Sequence, residues 1–428
     1  MNVIIFLVCT VFLWRFFRAW RSNVGFVFFG ILAIYVISIL WVPYYLLCNQ
    51  ILDAGWADPV RYTEFFGIGV TFCVACYFAI IAKSVFRLAP PNKSLLSVAR
   101  FTHSANGRVF VSLGFLVGVG AITALAATKG ITLSVGNYGS RFESNTGTGI
   151  FSIYSYVIVS ISIILLVRRP TRGQSLLSLS ISIVYGVSLF LTLGGERNYL
   201  VAAVAPILLV SYMLKIIDGK SLLMSVLFGV ACVTGLALIR YGNRLDSSVW
   251  LLVAQYTRDT VFPVESLNLI FYRDNLRFVG FEYFFDQFYS IIPRFMWPNK
   301  PIYLDTIAYY FTEQIYAYGK GLIIAPTGVG SLYLMGGWPF VVAGVLASVM
   351  FFFLLDYLVF NKNVIFFVCF WPTLFFSFFS FRESVELGIF KIIAHSIGVS
   401  TLYFAAIAIC SILPKKRPQL RRIQQVRH

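Results

Sequence analysis

Stretches of about 20 apolar residues alternate with short polar stretches along most of the chain. A helix needs about 20 consecutive, predominantly apolar residues to cross the hydrocarbon core of a bilayer. By that measure the pattern predicts about eleven spans, over residues 2–20, 24–47, 64–82, 109–128, 150–167, 175–193, 199–217, 221–239, 329–360, 364–381 and 387–412. Arg15 and Arg18 interrupt the end of the first, which makes it the weakest of the set. That run has no basic flank ahead of it and no small-residue cleavage site, so it reads as a span and not as a removed signal peptide. The expected fold class is an all-α polytopic membrane protein. It divides into spans one to eight (residues 1–239), a large outer segment (240–328), spans nine to eleven (329–412) and a basic tail (413–428).

Composition sharpens this picture. Of 428 residues, 59% are hydrophobic and 12% charged, about half the charged share of a soluble domain. A soluble fold could not hide that much apolar surface. The net charge of +17 would suit nucleic acid if it formed one patch, but the basic residues lie between apolar runs on one side of the membrane. The partner they imply is the lipid bilayer and not nucleic acid. With the tail after Pro414 in the cytoplasm, the loops on that side hold 20 of the 34 basic residues and only Asp218 and Asp356 of the 17 acids. The positive-inside rule then predicts an outer, periplasmic amino terminus and a cytoplasmic carboxyl terminus. Most of the seven cysteines fall inside apolar runs, where thiols behave as small hydrophobes. Cys73 and Cys76 form a C-x-x-C within a span, with no second pair and no nearby histidine, which argues against zinc or redox chemistry.

Two outer segments depart from the pattern of short loops. Residues 128–149 are rich in Gly and Ser and read as a flexible loop. Residues 240–328 are far longer and rich in Tyr, Phe and Arg, a composition that argues against disorder. Within them, 250–258 and 281–292 read as short amphipathic helices on the membrane surface. No internal repeat suggests a transporter built from inverted halves.

Candidate chemistry collects at helix ends on this outer side. Four clusters pair an arginine with an acid or an aromatic: Glu196-Arg197-Asn198, Arg240-Tyr241, Arg258-Asp259 and Arg382-Glu383. An interfacial arginine can simply snorkel toward headgroups. Four on the side without positive bias gain nothing from topology, and an arginine–acid pair at the membrane edge is costly without a partner. Guanidinium forks bind phosphate oxygens bidentately, so several arginines at a membrane point to a lipid pyrophosphate. Glu196, Asp259 and Glu383 are then either the base that deprotonates a sugar hydroxyl or orienting partners of their arginines. The proline-rich stretch 292–301 forms a rigid turn in which Arg294 and Lys300 could touch phosphate or glycan. Lys391 and His395 lie inside the last span, where an ionisable group is a site candidate by default. Gly328, Gly330, Gly336 and Gly337 read as permitting close helix packing.

Several of these runs occur together in a familiar order. Gly194-Gly195 with Arg197 and Asn198, Arg240-Tyr241-Gly242, Tyr256-Thr257-Arg258-Asp259-Thr260 with Pro263 and Glu265, Trp297-Pro298-Asn299-Lys300-Pro301, Ala325-Pro326-Thr327, Met335-Gly336-Gly337 and Arg382-Glu383 resemble the Wzy-type repeat-unit polymerases, in particular those of the enterobacterial common antigen. The amino-terminal hundred residues match only in hydropathy. The resemblance implies a GT-C-like, metal-independent glycosyltransferase without cofactor. Such an enzyme moves a growing glycan from undecaprenyl pyrophosphate onto the next undecaprenyl-pyrophosphate-linked oligosaccharide at the periplasmic face of the inner membrane. It also implies that Arg197, Arg258 and Arg382 hold the pyrophosphate and that Asp259 and Glu383 assist catalysis. Glu196, Arg240, Tyr241, Arg294 and Lys300 are then expected to contact substrate. A Wzz-type chain-length regulator and a Wzx-type flippase are the implied partners. At Glu196 this chain departs from related sequences, which carry an uncharged residue there, so the glycan stays open between common antigen, O-antigen and capsule. A flippase of lipid-linked oligosaccharide and an O-antigen ligase share the membrane setting and the arginine sites.

Overall fold

The computed structural model describes residues 3–51, 62–130, 149–193, 198–241, 262–273, 276–292, 296–301, 306–317, 324–361 and 363–412. All regular structure among them is helical. Nine of the described helices are long and apolar enough to cross a membrane. They are α1 (Val3–Trp20), α2 (Phe26–Leu47), α3 (Tyr62–Phe86), α5 (Ala105–Lys129), α6 (Gly149–Arg168), α7 (Arg172–Thr192), α11 (Gly328–Asn361), α12 (Val364–Arg382) and α13 (Val385–Ile412). Between them come α4 (Pro91–His103), α8 (Asn198–Met213), α9 (Gly219–Tyr241) and α10 (residues 262–272). The expected seventh and eighth spans coincide with α8 and α9.

Local sequence explains where these helices start and bend. Ser104 opens α5, its hydroxyl accepting from the Gly107 amide at 3.0 Å, because the first amides of a helix lack internal partners. The basic stretch before it reads as a loop by hydropathy, yet residues 91–103 fold as α4. Pro91 stands at its first position, and Leu95, Val98 and Phe101 line its buried face. The Ser94 hydroxyl ties α4 to the end of α11 through the Val359 and Phe360 carbonyls, at 2.8 and 3.1 Å. The start of α2 is capped from a distant helix: Asp356 accepts from the Phe26 and Val27 amides at 2.8 and 3.1 Å. Helix α11 breaks at Gly336 and Gly337, and Gly337 takes φ +72°, a left-handed conformation that disfavours any side chain. A 3-10 turn at Trp371–Thr373, with Pro372 in it, interrupts α12.

Lipid offers no hydrophobic drive for helix association, so close packing carries it. Gly118 lets α5 approach Ile158 of α6, and Gly186 lets α7 approach the backbone of Leu200 in α8. Large apolar side chains such as Leu116, Phe228 and Ile412 stay exposed, as a lipid-facing surface requires. Gly328 at the start of α11 and Gly388 on α13 both face the backbone of Ser380, leaving no room for a Cβ. Two further backbone bonds, from Val279 to the Leu334 carbonyl at 3.0 Å and from Gly280 to that of Met335 at 3.1 Å, dock the stretch after α10 onto the kink of α11.

Candidate functional site

The turn joining α12 to α13 gathers Glu383, Glu386, Lys391 and His395, all buried. It is short because Glu383 closes the last turn of α12 through its amide, bonded to the Phe379 carbonyl at 2.8 Å. The Val385 amide then opens α13 by donating to the Ser331 hydroxyl of α11 at 3.3 Å. In this setting the Lys391 ammonium lies 3.0 Å from one oxygen of Glu383. The Asn198 side-chain amide, at the first residue of α8, donates to the other oxygen. Two sequence motifs 185 residues apart therefore meet at one carboxylate. Lys391 also sits over the rings of Tyr199 and Phe376, at 5.6 and 6.0 Å. One turn further along α13, the His395 ring packs against those of Tyr156 at 4.5 Å and Phe376 at 5.2 Å, which also touch each other at 5.5 Å. His395 is thus held by aromatic faces and packs as a core ring.

A paired, hydrogen-bonded ion pair at this depth fixes geometry, because leaving either charge alone would be expensive. Its neighbour behaves differently. Arg382 is half-buried and has no hydrogen bond or ion pair to any described residue. The structure therefore presents one guanidinium with its donors uncommitted among the described residues, beside a carboxylate whose oxygens are both engaged. Glu386, completely buried three residues on, lies beside the Ser384 and Ser331 hydroxyls.

Of the expected site residues, Lys300 is the other whose side chain is described. Its ammonium donates to the Ser290 and Ile292 carbonyls, each at 3.0 Å, and so closes the 3-10 turn Gln287–Ile291. Arg240 and Tyr241 end α9, with their side chains outside the described residues. Glu196, Arg197, Arg258, Asp259 and Arg294 lie outside the described residues altogether. Residues 281–292, expected as a short helix, form the helix Glu282–Asp286 followed by that 3-10 turn. Phe288 packs edge-on against Phe390 at 5.8 Å, which brings this 3-10 turn against α13. Among the described residues, no three of His, Cys, Asp or Glu are grouped at metal-binding separation. Glu386 is not among the residues expected from sequence, and no partner for Asn198 is visible there. The signal for Glu386 was present all the same, in an acid inside an apolar helix.

A family model described as WzyE protein, O-antigen assembly polymerase, matches residues 2–365. The chain belongs to the WzyE family. It is accordingly an O-antigen assembly polymerase of the polytopic all-helical kind, with a glycosyltransferase-like activity on saccharide repeat units. The matched range takes in Asn198 and all of residues 240–328. It stops short of Arg382 and Glu383. No solved structure matches the chain.

Proposed function

We propose that this polymerase extends an undecaprenyl-pyrophosphate-linked glycan at the periplasmic face of a bacterial inner membrane, by metal-independent single displacement at the anomeric carbon. The observation that carries the reading is Arg382: half-buried, uncommitted among the described residues, and set beside the locked Glu383–Lys391 pair. A planar guanidinium in that position suits a pyrophosphate, which it grips bidentately. The acceptor hydroxyl oxygen bonds to the anomeric carbon while the bond to the pyrophosphate oxygen breaks and takes the electron pair. Charge builds on the leaving group, where preorganised arginine donors in a low-dielectric site stabilise it. Arg197 and Arg258 are the further arginines assigned to this task. The hydroxyl proton passes to a carboxylate. Glu383, bound to Lys391 and Asn198, is suited to orienting the turn, which leaves Glu196 and Asp259 as the bases to test. Arg240, Tyr241 and Arg294 are assigned to the glycan, whereas the Lys300 ammonium is committed to the Ser290 and Ile292 carbonyls. The amino terminus is periplasmic and the carboxyl terminus cytoplasmic in this reading, and a chain-length regulator and a flippase act on the same substrate.

The test is elongation by detergent-solubilised protein supplied with lipid-linked repeat units. Arg382→Ala should abolish chain growth with the protein still folded, and Arg382→Lys should recover little, because an ammonium is a point charge without a fork. Full activity in Arg382→Ala would remove this residue from the site.

A further inference from the structure

A cavity of about 480 Å³ opens between residues 273–283 and 309–315, and none of the residues lining it is among those assigned above. Its size falls within the usual range for small-ligand pockets. One wall is the run Ile307–Tyr310 continued as a π-helical turn Phe311–Ile315, a geometry frequent at functional sites. The wall is amphipathic: Ile307, Ala308, Phe311, Thr312 and Ile315 are buried, whereas Tyr309, Tyr310, Glu313 and Gln314 face the cavity. It is also firmly braced. The Thr312 hydroxyl donates to the Ala308 carbonyl at 2.7 Å and accepts from the Ile324 amide at 2.7 Å. The opposite wall carries Arg273, Arg277 and Tyr283. The Tyr310 hydroxyl joins the two walls by donating to the Arg277 carbonyl at 2.9 Å, and Arg273 does so by donating to the Ile315 carbonyl at 2.8 Å.

Tyrosine faces, two guanidiniums, a carboxylate and a carboxamide in one open cavity form a set suited to sugar. Ring C–H groups lie on aromatic faces, while arginine, glutamate and glutamine bridge vicinal hydroxyls. A pyrophosphate fits less well. Glu313 faces the same space and repels a polyanion, and Arg273 already gives one of its donors to Ile315. We infer that this cavity is a saccharide subsite, holding sugar rings of the lipid-linked glycan remote from the pyrophosphate. The inference rests on the proposed polymerase reading and extends it to the glycan.

The experiment uses the full-length protein in detergent and, as probe, the free oligosaccharide repeat released from its lipid carrier, with binding followed by saturation-transfer NMR. Wild type should bind it. Arg277→Ala should weaken binding by at least about tenfold, as expected for a lost charge-assisted bond, and Glu313→Gln should weaken it less. Both leave the backbone carbonyl that Tyr310 uses, so both should elute as monodisperse as wild type. Arg382→Ala should bind the free saccharide like wild type. The inference is overturned if wild type does not bind the saccharide, if Arg277→Ala and Glu313→Gln bind it unchanged, or if inorganic pyrophosphate displaces it. A wild type that binds saccharide but never elongates a lipid-linked substrate would instead overturn the polymerase reading and leave the subsite standing.

Discussion

Replacing Lys391 by Met tests the claim that the turn between α12 and α13 is built around an ion pair. The ammonium and the Glu383 carboxylate are 3.0 Å apart, and both side chains are under 10% exposed. At an effective dielectric of about 20, two unit charges at that separation attract by about 5 kcal/mol, before desolvation takes its share. Removing one partner leaves the other buried and uncompensated, a change that costs about 3–5 kcal/mol. Lys391→Met should therefore destabilise the detergent-solubilised protein by about that amount. Glu383→Gln should cost less, because glutamine keeps a carbonyl for Asn198 to bond. The double variant should recover most of the loss, since neither charge is then left alone. A double-mutant cycle on thermal or denaturant unfolding measures this directly. Additive single effects, with no coupling, would refute the reasoning.

Asp356→Ala leaves the Phe26 and Val27 amides without acceptors at a buried helix start and should cost about 2–4 kcal/mol in unfolding experiments. Gly25→Ala would press a methyl group against the same carboxylate, so the two substitutions together should destabilise by less than their sum. A reporter fused after Arg427 should be active only in its cytoplasmic form, and activity only in the periplasm would overturn the proposed orientation. Elongation should persist in excess chelator if arginines alone neutralise the leaving pyrophosphate. Loss with chelator and return with added magnesium or manganese would show that carboxylates hold a metal instead.

Most of the membrane architecture was legible in the chain, because hydropathy over about 20 residues is a strong, local signal. What escaped it was of two kinds. Helix α4 has basic residues along an amphipathic face, and a window tuned to uniformly apolar spans passes over such a stretch. Contacts between distant segments leave no local trace. Nothing near Asn198 announces Glu383, and nothing near Gly25 announces Asp356. The charged residues themselves could be picked out, since an ionisable group in an apolar run needs a reason. Their partners could not. Lys391 and Glu383 read as separate candidates yet form a pair, and the charge of Lys300 gives no hint that two backbone carbonyls receive it. The cavity at Tyr309 and Arg277 lay hidden for the same reason, its walls coming from two stretches whose shared face only folding creates.

The central claim is that this chain joins lipid-linked repeat units to one another. The most direct measurement is incubation of the purified protein with a single undecaprenyl-pyrophosphate-linked repeat, with products separated by size. The account predicts a ladder of glycans growing by one repeat per step, absent in Arg382→Ala. Movement of intact substrate across vesicles without any ladder, or transfer of a single unit onto lipid A and no further growth, would contradict it.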